Sequence, residues 1–493
     1  MYNLQLKMKK YIILCIIVLL STTLFCQQTT DNRQQTLSTE TLRFSKTKVA
    51  CIGNSVTYGF GHDNPAVTSY PSQLAKMLGD DYEVGNFGKS GATLLRKGHR
   101  PYNEQEEYQR ALEFVPDIAI IHLGLNDTDP RNWKYYKREF IADYVALIED
   151  IERVNPDVEI YICRMTPIFH WHHRFKKGTR DWYWEIQATI ENIAENIAEV
   201  KIIDLQEVLY HRPDLMPDAL HPNPEGAKLI AQRVYSAITG DFGGLSLPNI
   251  YSDNMVIQRD KPFVVKGLAN AGDEISVSLD KQKIKTEAGD DGRWEVTFDA
   301  LKVDGKKHKL TIKGKDKTLS FKNIVVGEVI LCSGNIKTTD NGQRTTDFVQ
   351  KHVLLYDSEV GKWKSEENCH SEIYNIGAKI SDSLQMPVGL IYNVVEDSPI
   401  ESFIDRKTLE WHPILIDVLY EWRNADNVKE HLDSNEPSYN YDKLIAPLSS
   451  FPINSVIWFE DDSDIDSDLD SIKKSALIES WKKVFGEISF ILD

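Results

Sequence analysis

Lys48-Val49-Ala50-Cys51-Ile52-Gly53-Asn54-Ser55 is an apolar run that ends in a glycine turn and a serine. The run predicts a buried strand over residues 48–52, which places the Ser55 hydroxyl at the carboxyl end of that strand. Open parallel sheets bind their ligands at this edge. Amphipathic helical stretches separate it from further strand candidates, which are residues 82–87, 117–123, 158–163 and 200–205. This alternation predicts an α/β fold with a doubly wound parallel sheet.

The predicted α/β domain spans residues 46–240 and ends at a glycine-rich segment, Gly240 to Gly244. Beyond it, short alternating segments separated by turn residues predict a small β-sandwich over residues 246–322. Strand and helix signals mix again over residues 323–493, which predicts a second α/β unit. A chain of 493 residues is long enough for several such cores.

The start of the chain has a different composition. Lys7, Lys9 and Lys10 precede a short apolar run, which predicts an export signal over residues 1–27. Residues 28–45 have almost no apolar periodicity and are typical of a flexible leader. We therefore expect a periplasmic or extracellular protein. Lipidation of Cys26, which would attach the protein to a membrane, is the alternative to simple cleavage.

Composition excludes one class of partner and indicates no cofactor. The net charge of −17 argues against nucleic acid, whose phosphates favour clustered Lys and Arg. Cys51 and Cys163 lie in apolar strand patterns, where buried free thiols are expected rather than a disulfide. His170-Trp171-His172-His173 lacks an acidic partner in register, so we assign no metal. The composition leaves the oligomeric state open.

Short stretches of the first domain carry every group that acyl transfer needs. Ser55 is the candidate nucleophile, and His221 is the candidate base that removes its proton. Asp218 lies three residues before His221, close enough to hold the imidazole in one tautomer. The backbone N–H groups of Ser55 and Gly91 and the side-chain amide of Asn126 are candidate donors to an oxyanion. Together these groups predict a serine esterase.

These stretches resemble the motifs of the SGNH, or GDSL-type, hydrolase family over about residues 46–240. The resemblance implies that Ser55 is the nucleophile, that Gly91 and Asn126 line the oxyanion hole, and that Asp218 and His221 complete the triad. Asn54 stands where the family usually has Asp. This position carries none of the reacting groups.

The stretch from Asn126 to Trp133 is similar to the carbohydrate-esterase branch of the family rather than to its lipase branch. Aromatic faces suit the C–H surfaces of sugars, and guanidinium groups suit carboxylates. We therefore expect Arg96, Arg100 and Trp133 among the substrate contacts. Each could equally be an ordinary surface or core residue.

The second half resembles the sialate O-acetylesterase family from about residue 246 onward, most closely over residues 247–259, 327–334 and 387–391. The family's nucleophile turn, Gly-Gln-Ser-Asn, is here Gly334-Asn335-Ile336-Lys337, and its Trp-Gly-Gly loop is Val395-Glu396-Asp397. Its Gly-Glu-Ser-Asn turn is replaced by Asp461 to Asp464, and no Asp-x-x-His motif follows. The resemblance therefore implies an incomplete SGNH-like unit that has lost its chemistry.

The sequence thus predicts an exported serine esterase that removes O-acetyl groups from carbohydrate through an acetyl-enzyme. Sialic acid is the favoured sugar, because the second half resembles sialate esterases. One alternative is an esterase for acetylated xylan or another glycan. The other is a protein that binds glycan without catalysis. An acetylated glycan is the expected partner in each enzymatic case.

Overall fold

A computed structural model describes residues 46–175, 179–197, 199–335, 352–358, 360–364, 371–424, 433–449, 451–460 and 468–492. The predicted signal peptide with Cys26, the predicted leader, Ile336 and the acidic turn 461–464 lie outside the described residues. Within the part of the chain that is described, no helix is both long and apolar enough to cross a membrane.

The first domain is built on a five-stranded parallel sheet with the strand order β2-β1-β3-β4-β5. The predicted strands are confirmed, and no end differs by more than one residue from its predicted position. Consecutive residues of β1 are fully buried although their side chains point to opposite faces, because helices cover both sides. The strands are β1 (Thr47–Gly53), β2 (Tyr82–Gly88), β3 (Ile118–His122), β4 (Glu159–Arg164) and β5 (Val200–Asp204).

Capping residues define both ends of the last helix of this domain. The last helix, predicted near residues 224–238, starts with Pro224, and the Asn223 side chain accepts a hydrogen bond from the N–H of Gly226. It ends at Gly240, whose left-handed φ of 70° suits glycine. The helices are α1 (Ser55–Tyr58), α2 (Pro65–Thr68), α3 (Tyr70–Leu78), α4 (Glu106–Glu113), α5 (Trp133–Tyr136), α6 (Phe140–Val154), α7 (Thr179–Asn196), α8 (Leu205–Tyr210) and α9 (Pro224–Thr239).

The middle of the chain forms two sheets whose inner faces share one core. Strands β7 and β10 pair with each other, and β8, β9 and β11 join the first half of β12, all antiparallel. Phe263 and Phe298 from the first sheet share a core with Val277 and Ile312 from the second. The strands are β6 (Val256–Gln258), β7 (Phe263–Leu268), β8 (Glu274–Leu279), β9 (Gln282–Glu287), β10 (Arg293–Phe298), β11 (His308–Lys313) and β12 (Thr318–Gly334).

Strand β12 continues into a second parallel sheet. Its carboxyl-terminal half pairs in parallel with β15 and β16, which gives the order β13-β15-β12-β16-β17 and an antiparallel edge strand, β14. Without the edge pair β13 and β14, this order matches β2-β1-β3-β4 of the first domain. The elements are β13 (Val353–Asp357), β14 (Lys362–Lys364), β15 (Val388–Val394), β16 (Ser455–Phe459), β17 (Ser489–Leu492), α10 (Ser371–Leu384), α11 (Arg406–Trp411), α12 (Leu415–Asn424) and α13 (Asp468–Phe485).

The described residues form three buried cores, and strand β12 contributes to two of them. The buried core of the first domain draws its residues from 49–234, whereas a second core runs from Leu245 to Ile488. Strand β12 passes straight through the boundary predicted between residues 322 and 323. The sandwich and the carboxyl-terminal α/β unit are therefore joined by a continuous strand and a common apolar interior.

Candidate active site

Ser55 lies at the carboxyl end of β1, on the first residue of α1. The Asn54 side chain caps this helix by accepting from the N–H of Val56 at 2.9 Å, and its amide donates to the carbonyl of His122 at 3.2 Å. A carboxylate at this position could not make the second bond, because it has no N–H. Gly53 is required here, since a Cβ would lie 2.1 Å from the Thr57 hydroxyl.

The Ser55 Oγ, the His221 imidazole and the Asp218 carboxylate form a continuous hydrogen-bonded chain. His221 Nε2 lies 2.8 Å from Ser55 Oγ, and His221 Nδ1 lies 2.7 Å from Asp218 Oδ2. The other oxygen of Asp218 accepts from the backbone N–H groups of Leu220 and His221. Ala219, with a φ of +66°, turns the backbone tightly between the two side chains.

The charge state of Asp218 follows from these bonds. Partial burial acts to raise its pKa, but the hydrogen bonds from the His221 ring and backbone and from the Leu220 N–H outweigh it and hold the pKa at about 2. Asp218 is therefore ionised above about pH 3. It can stabilise an imidazolium at His221 across the neutral range.

The predicted oxyanion donors converge on the same edge of the sheet. Among the described residues, the backbone N–H groups of Ser55 and Gly91 have no hydrogen-bond partner. Gly91 has a φ of +79°, a conformation that favours glycine. Asn126 is only 4 % exposed, and its amide donates to the carbonyl of Ala92 at 3.0 Å. The second N–H of this amide has no recorded acceptor in the described part of the chain.

The groups that hold Asn126 were not predicted from the sequence. The Asn132 amide donates to the backbone carbonyl of Asn126 at 2.7 Å. The buried Asp127 carboxylate accepts from the N–H groups of Leu94 and Leu95 at 3.0 and 2.9 Å, which ties the Gly91 loop to β3. Although these bonds act to lower the pKa of Asp127, burial raises it to about 7. Asp127 directly follows Asn126 in the predicted oxyanion motif. This position is the sequence signal that could have identified it.

A loop between β4 and α7 adds two basic side chains that the sequence did not reveal. Arg174 Nη1 donates to Asn126 Oδ1 at 3.3 Å, and burial lowers the pKa of this guanidinium. His172 lies within electrostatic range of Asp218 and His221, and burial together with the positive charges nearby lowers its pKa to about 4. The loop has no periodic pattern, so nothing in the sequence indicated which side chains face the site.

The three predicted substrate contacts occupy different environments. Arg100 is exposed, donates to the carbonyl of Ser90 at 2.8 Å and lies directly beside Gly91. Arg96 instead pairs with Asp150 of α6 at 3.0 Å. Trp133 is only 3 % exposed and donates to Glu185 at 2.7 Å, so its ring is part of the core and offers no face to a sugar. Of the three, only Arg100 lies next to the candidate oxyanion hole.

Within the described ranges, no three His, Cys, Asp or Glu side chains are arranged to hold a metal ion. The rings of His172 and His173 lie 4.3 Å apart, and the ring of His170 packs against Tyr420 of α12. The predicted free thiols Cys51 and Cys163 are confirmed as buried and unbridged.

Comparison with known proteins agrees with this geometry. Residues 51–229 match the GDSL-like lipase/acylhydrolase family. The match lies within the first domain, which is therefore similar to this family. An acetylxylan esterase of Xylanibacter ruminicola is 36 % identical over 214 residues, which cover 39 % of this chain and 43 % of the relative. The sialate O-acetylesterase of Homo sapiens is 21 % identical over 286 residues, covering 49 % of this chain and 54 % of that protein.

The chain thus spans about half the length of the curated relatives it matches. Among solved structures, a carbohydrate acetylesterase from Xanthomonas citri aligns with a TM-score of 0.42 and 24 % identity, over 50 % of this chain and 59 % of that one.

The carboxyl-terminal unit repeats the backbone of the GDSL-like site with different side chains. Gly334 ends β12 and is followed by Asn335, just as Gly53 ends β1 and is followed by Asn54. The carbonyl of Gly334 accepts from the N–H of Val395, and the carbonyl of Gly53 accepts from the N–H of Lys89. Asp397 lies two residues after Val395 and corresponds to Gly91, which lies two residues after Lys89. Its φ of +53° is positive, like that of Gly91. The N–H of Asp397, however, donates to the Asn335 side chain at 2.9 Å. The donor that corresponds to the Gly91 N–H is therefore already occupied.

A buried histidine beneath the GDSL-like site makes stability depend on pH. His122 is fully buried, which lowers its pKa from 6.5 to about 4. The unfolded chain binds a proton at this residue below about pH 6.5, and the folded chain does so only near pH 4. We therefore expect the free energy of unfolding to fall as the pH drops through this window, by up to about 1.4 kcal/mol per pH unit for each such histidine.

Urea unfolding followed by circular dichroism between pH 4.5 and 7.5 measures this slope. His122→Gln removes the titrating group, so its stability should be lower at pH 7 but should change less with pH. An unchanged slope in the variant would show that His122 does not contribute.

Proposed function

We propose that the GDSL-like domain is a carbohydrate O-acetylesterase. The observation that carries this proposal is the chain Ser55–His221–Asp218, with contacts of 2.8 and 2.7 Å, next to two unpaired backbone N–H groups among the described residues. A nucleophile, an oriented base and donors to an oxyanion are the parts that ester hydrolysis requires.

In the proposed mechanism, Ser55 Oγ attacks the acetyl carbonyl while His221 Nε2 takes the hydroxyl proton. Asp218 stabilises the imidazolium, and the N–H groups of Ser55 and Gly91 and the amide of Asn126 stabilise the tetrahedral oxyanion. The intermediate collapses as the imidazolium protonates the departing sugar oxygen, leaving an acetyl-enzyme. Water, deprotonated by His221, then attacks the acetyl group and releases acetate and the free Ser55 hydroxyl.

Two acetylated sugars are candidates. The relative named as an acetylxylan esterase is the more similar, at 36 % identity, which supports acetylated xylan as a substrate. Sialic acid, the sugar favoured by the sequence, is supported by the sialate O-acetylesterase relatives and by Arg100, whose exposed guanidinium beside Gly91 suits a carboxylate. The basic and apolar start of the chain supports export, so we expect the substrate outside the cytoplasm.

Acetate release from a matched set of substrates tests the proposal. The set should contain acetylated xylan, an O-acetylated sialic acid and a small aryl acetate, each compared with its hydrolysis in buffer alone. We expect turnover of the aryl acetate and of at least one sugar. Hydrolysis of the aryl acetate without hydrolysis of either sugar would indicate a general esterase. No turnover of any ester would favour a protein that only binds glycan.

Asn126→Ala tests the oxyanion hole. Removing the buried amide should lower kcat by about 10²- to 10³-fold with little change in KM, since the amide acts on charge that develops in the transition state. Steady-state kinetics on the aryl acetate measures this effect. Asn155→Ala is a matched control, because Asn155 bonds to the carbonyl of Pro116 at the opposite end of the strands. Equal losses in both variants would indicate a general defect instead.

We further propose that the carboxyl-terminal α/β unit has no esterase activity. The counterpart of the Gly91 donor is occupied by Asn335, and the Asp397 carboxylate at this position would repel an oxyanion. The nucleophile position in the sequence is Ile336, which has no group that can attack a carbonyl.

A further inference from the structure

A cleft of about 380 Å³ separates the GDSL-like domain from the carboxyl-terminal unit. One wall is the segment that follows α8 and includes Pro213, which leads toward Asp218. The other wall contains Arg406 at the start of α11, together with Glu436 and Tyr439. Both walls belong to one compact unit of the fold. This volume lies within the range of small-molecule sites.

Arg406 is the unusual group of this cleft. It is only 2 % exposed, yet the structure records no hydrogen bond or ion pair for its guanidinium within the described residues. Its guanidinium carbon lies 5.2 Å from the ring centroid of Phe169, which covers one face of the group. A buried guanidinium is normally paired, because its N–H groups lose their hydration on burial. Its buried Nε–H has no acceptor, and the Glu410 carboxylate on the same helix interacts with the guanidinium only electrostatically, so an acceptor inside the cleft would satisfy this donor.

Glu436 supplies the complementary observation. Its side chain is partly buried in the same cleft, and its carboxylate accepts no hydrogen bond and forms no ion pair in the described part of the chain. Burial raises the pKa of this carboxyl group to about 7. Arg406 and Glu436 thus lie within electrostatic range of each other but beyond ion-pair distance. A ligand that carries both donors and acceptors could satisfy both groups at once.

The charges and the apolar walls indicate the class of ligand. The lining contains three basic side chains, Arg212, Arg406 and Lys443, and two acidic ones, Glu436 and Asp442. Arg212 is neutralised by Asp214 at 2.8 Å, so the remaining charges balance when both acids are ionised, and neither a strong anion nor a cation is favoured. Pro213, Pro437 and Tyr439 add apolar surface of the kind that contacts the C–H face of a pyranose ring. We propose that this cleft is a second sugar-binding site for a neutral glycan unit. The choice of sugar over another polyhydroxylated ligand rests on the proposed function.

Phe169 links Arg406 of the cleft to the loop that carries the triad base. The N–H of Phe169 donates to the carbonyl of Ala219 at 2.9 Å, and Ala219 lies between Asp218 and His221. Because Arg406 stacks on Phe169, this one residue connects Arg406 to the loop that carries the base.

Calorimetric titration of the full chain carrying Ser55→Ala tests the site without turnover. The probes are unacetylated xylotetraose, 3′-sialyllactose and inorganic phosphate. We expect saturable binding of xylotetraose and no binding of phosphate. Arg406→Met and Glu436→Ala should each weaken xylotetraose binding about tenfold or more, as expected when a hydrogen bond to a charged group is lost. Lys407→Met and Glu421→Ala are the matched controls, since both side chains are exposed and neither lines the cleft.

The result can contradict the proposal in three ways. Xylotetraose binding that is absent, or equally strong in the cleft variants and the controls, would overturn the site. Phosphate binding lost in Arg406→Met would make it an anion site instead, and binding of sialyllactose alone would overturn the choice of a neutral sugar. If Arg406→Met fails to fold, as judged by its thermal transition, Glu436→Ala decides. Acetate release by the wild-type chain is measured separately, so the failure of either proposal is distinguishable.

Discussion

Ser55→Ala is expected to lower kcat on an acetyl ester by about 10⁴-fold or more. Ser55 Oγ is the atom that the geometry presents to the carbonyl, and its proton has a defined acceptor in His221 Nε2 at 2.8 Å. Without the hydroxyl no acetyl-enzyme forms, and only the residual rate from the oxyanion donors and substrate binding remains. The measurement is steady-state hydrolysis of an aryl acetate, together with mass spectrometry of the protein to detect the acetylated intermediate.

Ser236→Ala is a suitable control for this substitution, because Ser236 lies within α9 and its side chain makes no recorded hydrogen bond in the described part of the chain. The control should keep wild-type kinetics. Ser55→Ala should also keep the wild-type thermal transition, since the side chain is small and its removal disturbs little packing. Substantial turnover by a pure, folded Ser55→Ala protein would contradict the assignment of the nucleophile.

Asp218→Asn should lower kcat by about 10³- to 10⁴-fold while leaving KM nearly unchanged. The carboxylate accepts from His221 Nδ1 at 2.7 Å and so fixes the tautomer whose Nε2 faces Ser55. An amide of the same shape can present its N–H to the ring, which favours the opposite tautomer and provides no charge to stabilise the imidazolium. Kinetics on the aryl acetate at several pH values measures the loss.

The pH dependence separates this role from a structural one. The pKa of Asp218 is about 2, so the carboxylate is present at every pH of the assay, and the loss should persist from pH 5 to pH 8. Asp214→Asn is the matched control, because Asp214 lies in the same segment but pairs with Arg212 at 2.8 Å. A wild-type rate in Asp218→Asn would show that His221 is oriented by another group.

The sheet of the first domain was predictable because burial leaves a simple pattern. Strands such as β1 are covered on both faces, and therefore read as short continuous apolar runs between helical stretches. The triad was predictable because Ser55, Asp218 and His221 each lie in a short motif whose spacing has a chemical reason. Ser55 follows the end of β1, as the parallel topology requires, whereas His221, together with Asp218, reaches it across 166 residues from the loop between α8 and α9.

Contacts that depend on tertiary packing were not predictable. The exposure of a tryptophan is not encoded locally: Trp133 lies in the core, where its ring packs against Phe140 and its N–H donates to Glu185 of α7. Arg174 reaches Asn126 from a loop without periodicity, so no spacing rule links the two residues. Strand β12 was divided at residue 322 because its two halves have different patterns, alternating in the sandwich and continuously apolar in the parallel sheet.

This uninterrupted strand limits how the protein can be dissected or recombined. A graft of the sandwich onto another scaffold would have to sever a 17-residue strand and expose unpaired backbone on both sides of the cut. The better splice point is the glycine-rich turn after α9, because no strand crosses it and the second half contacts the first domain largely through side chains such as Arg406 and Tyr420. Chimeras that exchange the GDSL-like domain at this turn should stay soluble, whereas junctions near residue 322 should aggregate.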